Sequence, residues 1–218
     1  MKTLNTAVST DRKVELLQSL SFAAAKEDPN IIGVVVKALD DPNGEVGQAA
    51  ISLLDGYEDP AIIPAVEKAL KNENDEVRTA AVELLNNIND PVVQNPLALA
   101  LNDPSEDVRA AALDILEMQD DVQTDILAGG IGSPYEDVKD VILSMLEDKG
   151  DQKSVDILIN GLKDQNPDFR ESVSDTLEFL LDEKFDSYEK AAAWWEKNKS
   201  KFDAELSPLE NDSPEKQK

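Results

Sequence analysis

Six aspartates recur along the chain at near-regular intervals: Asp28, Asp59, Asp90, Asp120, Asp151 and Asp186. A ladder of carboxylates could collect cations, but proline follows the first three directly, as Pro29, Pro60 and Pro91. Asp then Pro is the combination that caps and starts a helix, so all six are expected to accept backbone N–H bonds at helix starts. Gly129-Gly130 invites a phosphate-loop reading, yet the spaced glycines and the Lys–Ser/Thr that cradle a phosphate are missing. A helix C-terminus or a close helix contact is expected there instead. Trp194 and Trp195, the only tryptophans, could form an aromatic platform for a ligand. Histidine and cysteine are absent, which removes the commonest general base and metal ligand together with disulfides and thiolate sites. No catalytic residue, metal or cofactor is predicted.

The elements that would position these residues repeat. LKNENDEVRTAAVELLNNINDPVVQNPLALA, Leu70–Ala100, is flanked on both sides by similar stretches, and Val46, Val77, Val108 and Val138 recur at steps of 31, 31 and 30 residues, with Phe169 next at 31. A self-similar period of this size means one supersecondary unit stacked along a line. Three and four residues after each valine come Ala49/Ala50, Ala80/Ala81, Ala111/Ala112 and Val141/Ile142; seven and eight after come Leu53/Leu54, Leu84/Leu85, Ile115/Leu116 and Met145/Leu146. Those spacings share one face of a helix. Asn43, Asn74, Ser105 and Asn166 are placed to cap this first helix, and an acid follows in its first turn. Each unit's second helix starts at its aspartate. Arg78, Arg109, Lys139 and Arg170 follow the recurring position directly, with Gly47 the odd residue; they are expected in surface ion pairs worth ~0–1 kcal/mol each.

The chain has 218 residues, 41% hydrophobic but only 5% aromatic, and 46 acids against 21 bases give a net charge of −25. Such an excess, with no Lys/Arg stripe to neutralise phosphates, argues against nucleic-acid binding. Residues 1–9 lack the apolar run of a secretory signal, and no apolar stretch approaches the length that spans a bilayer. The chain therefore reads as soluble and without membrane insertion, with the cytoplasm favoured over the periplasm. Residues 1–9 are expected to be flexible, 10–202 to form one elongated domain, and 203–218 to be a disordered acidic tail. Residues 186–202, carrying the tryptophan pair, are expected to close the last apolar face of the stack, with Lys197, Lys199 and Lys201 toward water. About twelve helices and no strand are predicted, with helix over roughly 75–80% of the chain, far above the usual third.

DPSEDVRAAALDIL and NENDEVRTAAVELL resemble HEAT repeats, specifically the short bacterial type also found in phycobilisome lyases, over about residues 10–202. The closing AWWEKNKSKF is similar to the C-terminal ends of many bacterial HEAT-repeat proteins. The resemblance implies an all-α, right-handed α-solenoid of about six antiparallel helix pairs, with second helices on the concave side. It implies a non-enzymatic protein-interaction scaffold, here expected as a monomer; the alternative is a bilin-lyase-like cofactor chaperone. Aligned on their aspartates, the second helices present Gly33, Val36 and Lys37; Pro64, Glu67 and Lys68; Asn95, Ala98 and Leu99; Asp125, Ala128 and Gly129; and Asp156, Ile159 and Asn160. Only five of these fifteen are charged in so acidic a chain. A low-charge exposed row is a candidate contact face, so another protein is expected to bind along Asn95, Leu99, Asp125, Ile159 and Asn160. Small residues also serve close packing between adjacent helices, which is the competing role for the same positions.

Overall fold

The structure, a computed structural model, describes residues 8–23 and 28–209; the expectations for residues 1–7 and 210–218 lie outside them. Among the described residues there are twelve α-helices and no strand, apart from an isolated bridge between Phe202 and Pro208. Helix, 3-10 turns included, covers 71% of the described residues. The helices divide into two compact units between Asp120 and Asp121.

The first unit holds α1 (Thr10–Ala23), α2 (Pro29–Ala38), α3 (Gly44–Ile51), α4 (Ile63–Ala69), α5 (Asp75–Glu83), α6 (Gln94–Ala100) and α7 (Glu106–Glu117). Within it α1, α3, α5 and α7 pack in succession as one layer, and α2, α4 and α6 as a second. The other unit holds α8 (Thr124–Ile131), α9 (Glu136–Lys149), α10 (Gln152–Gly161), α11 (Pro167–Leu181) and α12 (Tyr188–Asn198). There α9 packs on α11, while α10 touches both α8 and α12.

The repeated residues form the core of both units. Val46, Val77, Val108, Val138 and Phe169 are buried, as are Ala50, Ala81, Ala112, Ile142 and Val173 four residues on. Eight residues on, Leu54, Leu85, Leu116, Leu146 and Leu177 are almost fully enclosed. Several helices begin or end in 3-10 turns, at Ser52–Leu54, Pro60–Ile62, Leu84–Asn87 and Pro91–Val93. In α4 and α6 a second proline, Pro64 or Pro96, lacks the N–H that a helix begun at Pro60 or Pro91 needs for its ladder. The doubled glycine acts as a close contact: a Cβ on Gly130 would run into Ile142 Cγ1, so α8 approaches α9 only because that carbon is missing.

Four of the six aspartates are caps. Asp28, Asp59, Asp90 and Asp151 accept from the backbone N–H of Asn30, Ala61, Val92 and Ser154. The other two correct the expectation. The fourth second helix starts at Thr124, behind Gln123, leaving Asp120 outside it. α12 starts behind Ser187, and Asp186 is instead paired with Lys190. Asp90→Ala should cost about 0.5–2 kcal/mol by urea unfolding, and a change no larger than an exposed control would show that the bond to Val92 contributes nothing. Asn43, Asn74 and Asn166 cap first helices as expected, whereas the Ser105 side chain makes no capping bond.

The bases after the recurring position overturn the surface-pair expectation. Arg78, Arg109 and Lys139 are buried, at 9%, 7% and 5% exposure, and Arg170 is half-buried. Arg78 grips Asp103 of the next loop through Nε (2.7 Å) and Nη2 (2.8 Å), and its Nη1 donates to the carbonyls of Asn72 and Glu73. Arg109 and Arg170 reach back in the same way to Asp103/Pro104 and Asp164/Gln165. The Asp103 carboxylate raises the Arg78 pKa against the opposing effect of burial. Lys139 pairs with Asp164 at 3.0 Å. Burial works to raise the Asp164 pKa, but the Asn166 N–H and Lys139 outweigh it and hold the carboxyl below its usual range. Each acid also folds its own loop: Asp41, Asp103 and Asp164 accept from the N–H two residues later, and Asn72 and Ser133 stand in at the other two loops. Gly47 fits this pattern. Its loop residue is Asn72, not an acid, and a Cβ at Gly47 would press Val77 at 3.1 Å.

Five residues after the recurring position stand Ile51, Val82, Leu113 and Leu143, all buried; the fifth in the series is Ser174, whose hydroxyl donates to the Phe185 carbonyl at 2.6 Å. No first-layer helix follows α11, and the connection 182–187 folds back at this point. Of the expected tail, residues 203–209 are described and bond to one another and to Lys201. The Asp203 carboxylate accepts from the N–H groups of Glu205 and Ser207, Asp203 N–H donates to Ser207 O, and Leu209 N–H donates to Lys201 O. These local bonds set a turn that composition alone does not disclose.

Candidate docking stripes on the second-layer helices

Buried positions recur on the second-layer helices: Ile62, Ile63, Ala65, Val66 and Ala69 in and before α4, and Val93, Gln94, Pro96, Leu97 and Ala100 in the same register of α6. The faces left over are the candidate row. In the first unit Asn95 and Leu99 are exposed and Ala98 is half-buried, and Leu99 keeps 57% of its surface in water. Pro64 and Glu67 of α4 and Gly33 and Lys37 of α2 are exposed too. Lys68 is drawn off the row by Asp40 and the Val36 carbonyl. Along α6 the exposed stripe Pro91, Asn95, Leu99 and Asn102 carries no charge at all. The first layer of this unit is the opposite: Asp75, Glu76, Glu83, Asp107 and Asp114 line an open groove of about 510 Å³ floored by alanines.

In the second unit Asp125 and Asn160 are exposed as expected. Asn160 lines an open hollow of about 560 Å³ with Ala128, Gly132 and Lys163, and its side-chain oxygen accepts from Lys163 at 2.9 Å. Ile159 is a correction: it is 5% exposed and cannot be met by a partner in this state. The cause is α12, whose Trp195 and Lys199 both bond Asp156 one turn before Ile159. Trp195 itself is 4% exposed, between Trp194 and Phe202. Trp195 is thus enclosed, and Lys199, with a side chain 40% exposed, is paired as well as solvated. It lies 5.6 Å from the Trp195 ring centroid and pairs with Asp156 at 2.6 Å.

Sequence inspection missed Gln152 and Lys163, which flank Asp156 on the same helical stripe. Their spacing of four and seven residues from Asp156 was there to be read, but a glutamine and a lysine on a helix surface look like solvated positions. Among the described residues no group of three or more acids is placed to hold a metal ion, and no helix is long and apolar enough to cross a membrane. Residues 32–117 match the family model for HEAT repeats. No curated protein matches the chain.

Proposed function

We propose that this chain, whose residues 32–117 match the family model for HEAT repeats, is a non-enzymatic interaction scaffold, binding a segment of another protein on its second-layer helices. HEAT repeats commonly mediate protein–protein interaction, and in the first unit Asn95 and Leu99 are the contact residues of this proposal. Asp125 and Asn160 form a separate candidate patch on the second unit. The observation that carries it is Leu99: a leucine left 57% exposed, on a stripe without charge, in a chain of net charge −25. Exposed apolar residues occur singly without meaning, and Met118 and Phe179 are more exposed still; Leu99 is set apart by its uncharged neighbours Pro91, Asn95 and Asn102 on one stripe.

Leu99→Asp should reduce capture of the binding protein by about tenfold or more, since a charge placed at a desolvated contact costs at least ~1.4 kcal/mol. The melting temperature should stay unchanged. The measurement is quantitative pull-down from the source organism with the full chain as bait, wild type against variant. Equal capture by both would move the contact away from α6.

A further inference from the structure

Gln152, Asp156, Ile159 and Lys163 fall at i, i+4, i+7 and i+11, one stripe along α10 and the turn after it. The same stripe is open on the other second-layer helices. On α8 it reads Asp121, Asp125, Ala128 and Gly132, all exposed; on α6 it reads Pro91, Asn95, Ala98 and Asn102, of which only Ala98 is even half-buried. On α10 Gln152, Asp156 and Lys163 are engaged by the C-terminal arm, residues 188–204, and Ile159 among them is buried. The Gln152 side chain donates toward the carbonyls of Asp203 (2.9 Å), Phe202 (3.0 Å) and Lys199 (3.3 Å), and its backbone N–H donates to Ala204 O at 2.9 Å. Asp156 takes the Trp195 indole N–H on one oxygen (2.8 Å) and the Lys199 ammonium on the other (2.6 Å). Lys163 lies 3.7 Å from the centre of the Tyr188 ring.

The arm has little else to hold it. Within α12 only Ala191 and Trp195 are buried. Its charge is nearly balanced: residues 188–204 carry Lys190, Lys197, Lys199 and Lys201 against Glu189, Glu196 and Asp203, in a protein of net charge −25. The second unit thus displays one stripe of its second layer with a helix seated on it, and the end of that helix brings an indole and an ammonium, one turn apart, to a single carboxylate.

We propose that the outward stripe of α10 is a helix-docking site filled by the chain's own C-terminal arm, which a partner displaces with a helix carrying an indole and an ammonium at i and i+4. The proposal rests on the reading of the second layer as the interaction surface and adds to it the chemistry of the occupant and a built-in competitor. A tethered arm competes at an effective concentration on the order of millimolar, so an added helix binds weakly until the arm is loosened.

The test is fluorescence anisotropy with a fluorescein-labelled peptide of residues 186–209, titrated with the full-length protein. Trp195→Ala removes the arm's anchor but leaves Gln152 and Asp156 in place, and should bind the peptide at least about tenfold more tightly than wild type does. Adding Asp156→Ala to that variant should abolish the gain. A peptide with alanine at the positions of Trp195 and Lys199 should not bind. Lys199→Ala, at a side chain 40% exposed, loosens the arm without opening the core and should give a smaller gain in the same direction. Equal binding by wild type and both loosened variants, or binding by none of them, overturns the proposal. Leu99→Asp, in the other unit, should leave the titration unaltered, so failure here and failure of the α6 contact are told apart.

Discussion

Arg78→Met should destabilise the protein by about 3–5 kcal/mol, because it strands a carboxylate that the fold has taken out of water. Asp103 keeps 8% side-chain exposure and receives two guanidinium bonds from Arg78. It also accepts from Ser105 N–H, and its carbonyl accepts from Arg109. Removing Arg78 leaves the carboxylate with the loop bond alone and deprives the Asn72 and Glu73 carbonyls of their donor as well. Asp103→Asn in the same background removes the stranded charge while keeping an oxygen for Ser105 N–H. The double variant should therefore be less damaged than the sum of the singles, with a coupling of about 0.5–3 kcal/mol. Urea unfolding of the four proteins gives the cycle. A loss below ~1 kcal/mol for Arg78→Met would return the pair to the class of exposed ion pairs.

Leu85→Ala should cost about 2–5 kcal/mol, the range for deleting a buried leucine whose site cannot collapse. Leu85 is 1% exposed, eight residues after Val77 and beside Leu84 in the 3-10 turn that ends α5. Leu99→Ala is the internal control: same substitution, 57% exposure, and an expected change within about 0.5 kcal/mol. Should the two variants melt together in urea, the register that puts Leu85 inward and Leu99 outward would be wrong.

The inward register was legible because hydrophobic period is a strong signal. The valine that returns once per repeat placed Ala81, Ala112, Leu85 and Leu116 correctly, and the capping preference found Asp28, Asp59, Asp90 and Asp151. Arg78, Arg109 and Lys139 were not legible. A base directly after a core valine looks solvated. The acids that Arg78 and Lys139 meet lie beyond the intervening second helix, in the following loop, where Asp103 and Asp164 resemble ordinary turn residues. Asp120 and Asp186 misled for a related reason: an aspartate preceding a helix is compatible with a cap but does not fix how many residues lie between. Of the candidate row, Leu99, Asn95, Asp125 and Asn160 are exposed as the alignment of second helices implied. Ile159 failed because its burial depends on α12, whose longer connection carries it onto a stripe that the other second helices leave open.

Ser174 has a consequence for how such a chain can change length. An in-frame duplication of one whole repeat inside the array copies a unit whose two flanks already fit its neighbours, so copy number is free to vary there. At α11 it is not. The site that elsewhere offers Ile51, Val82, Leu113 or Leu143 offers a hydroxyl committed to the Phe185 carbonyl, and an added helix would meet a polar, occupied surface.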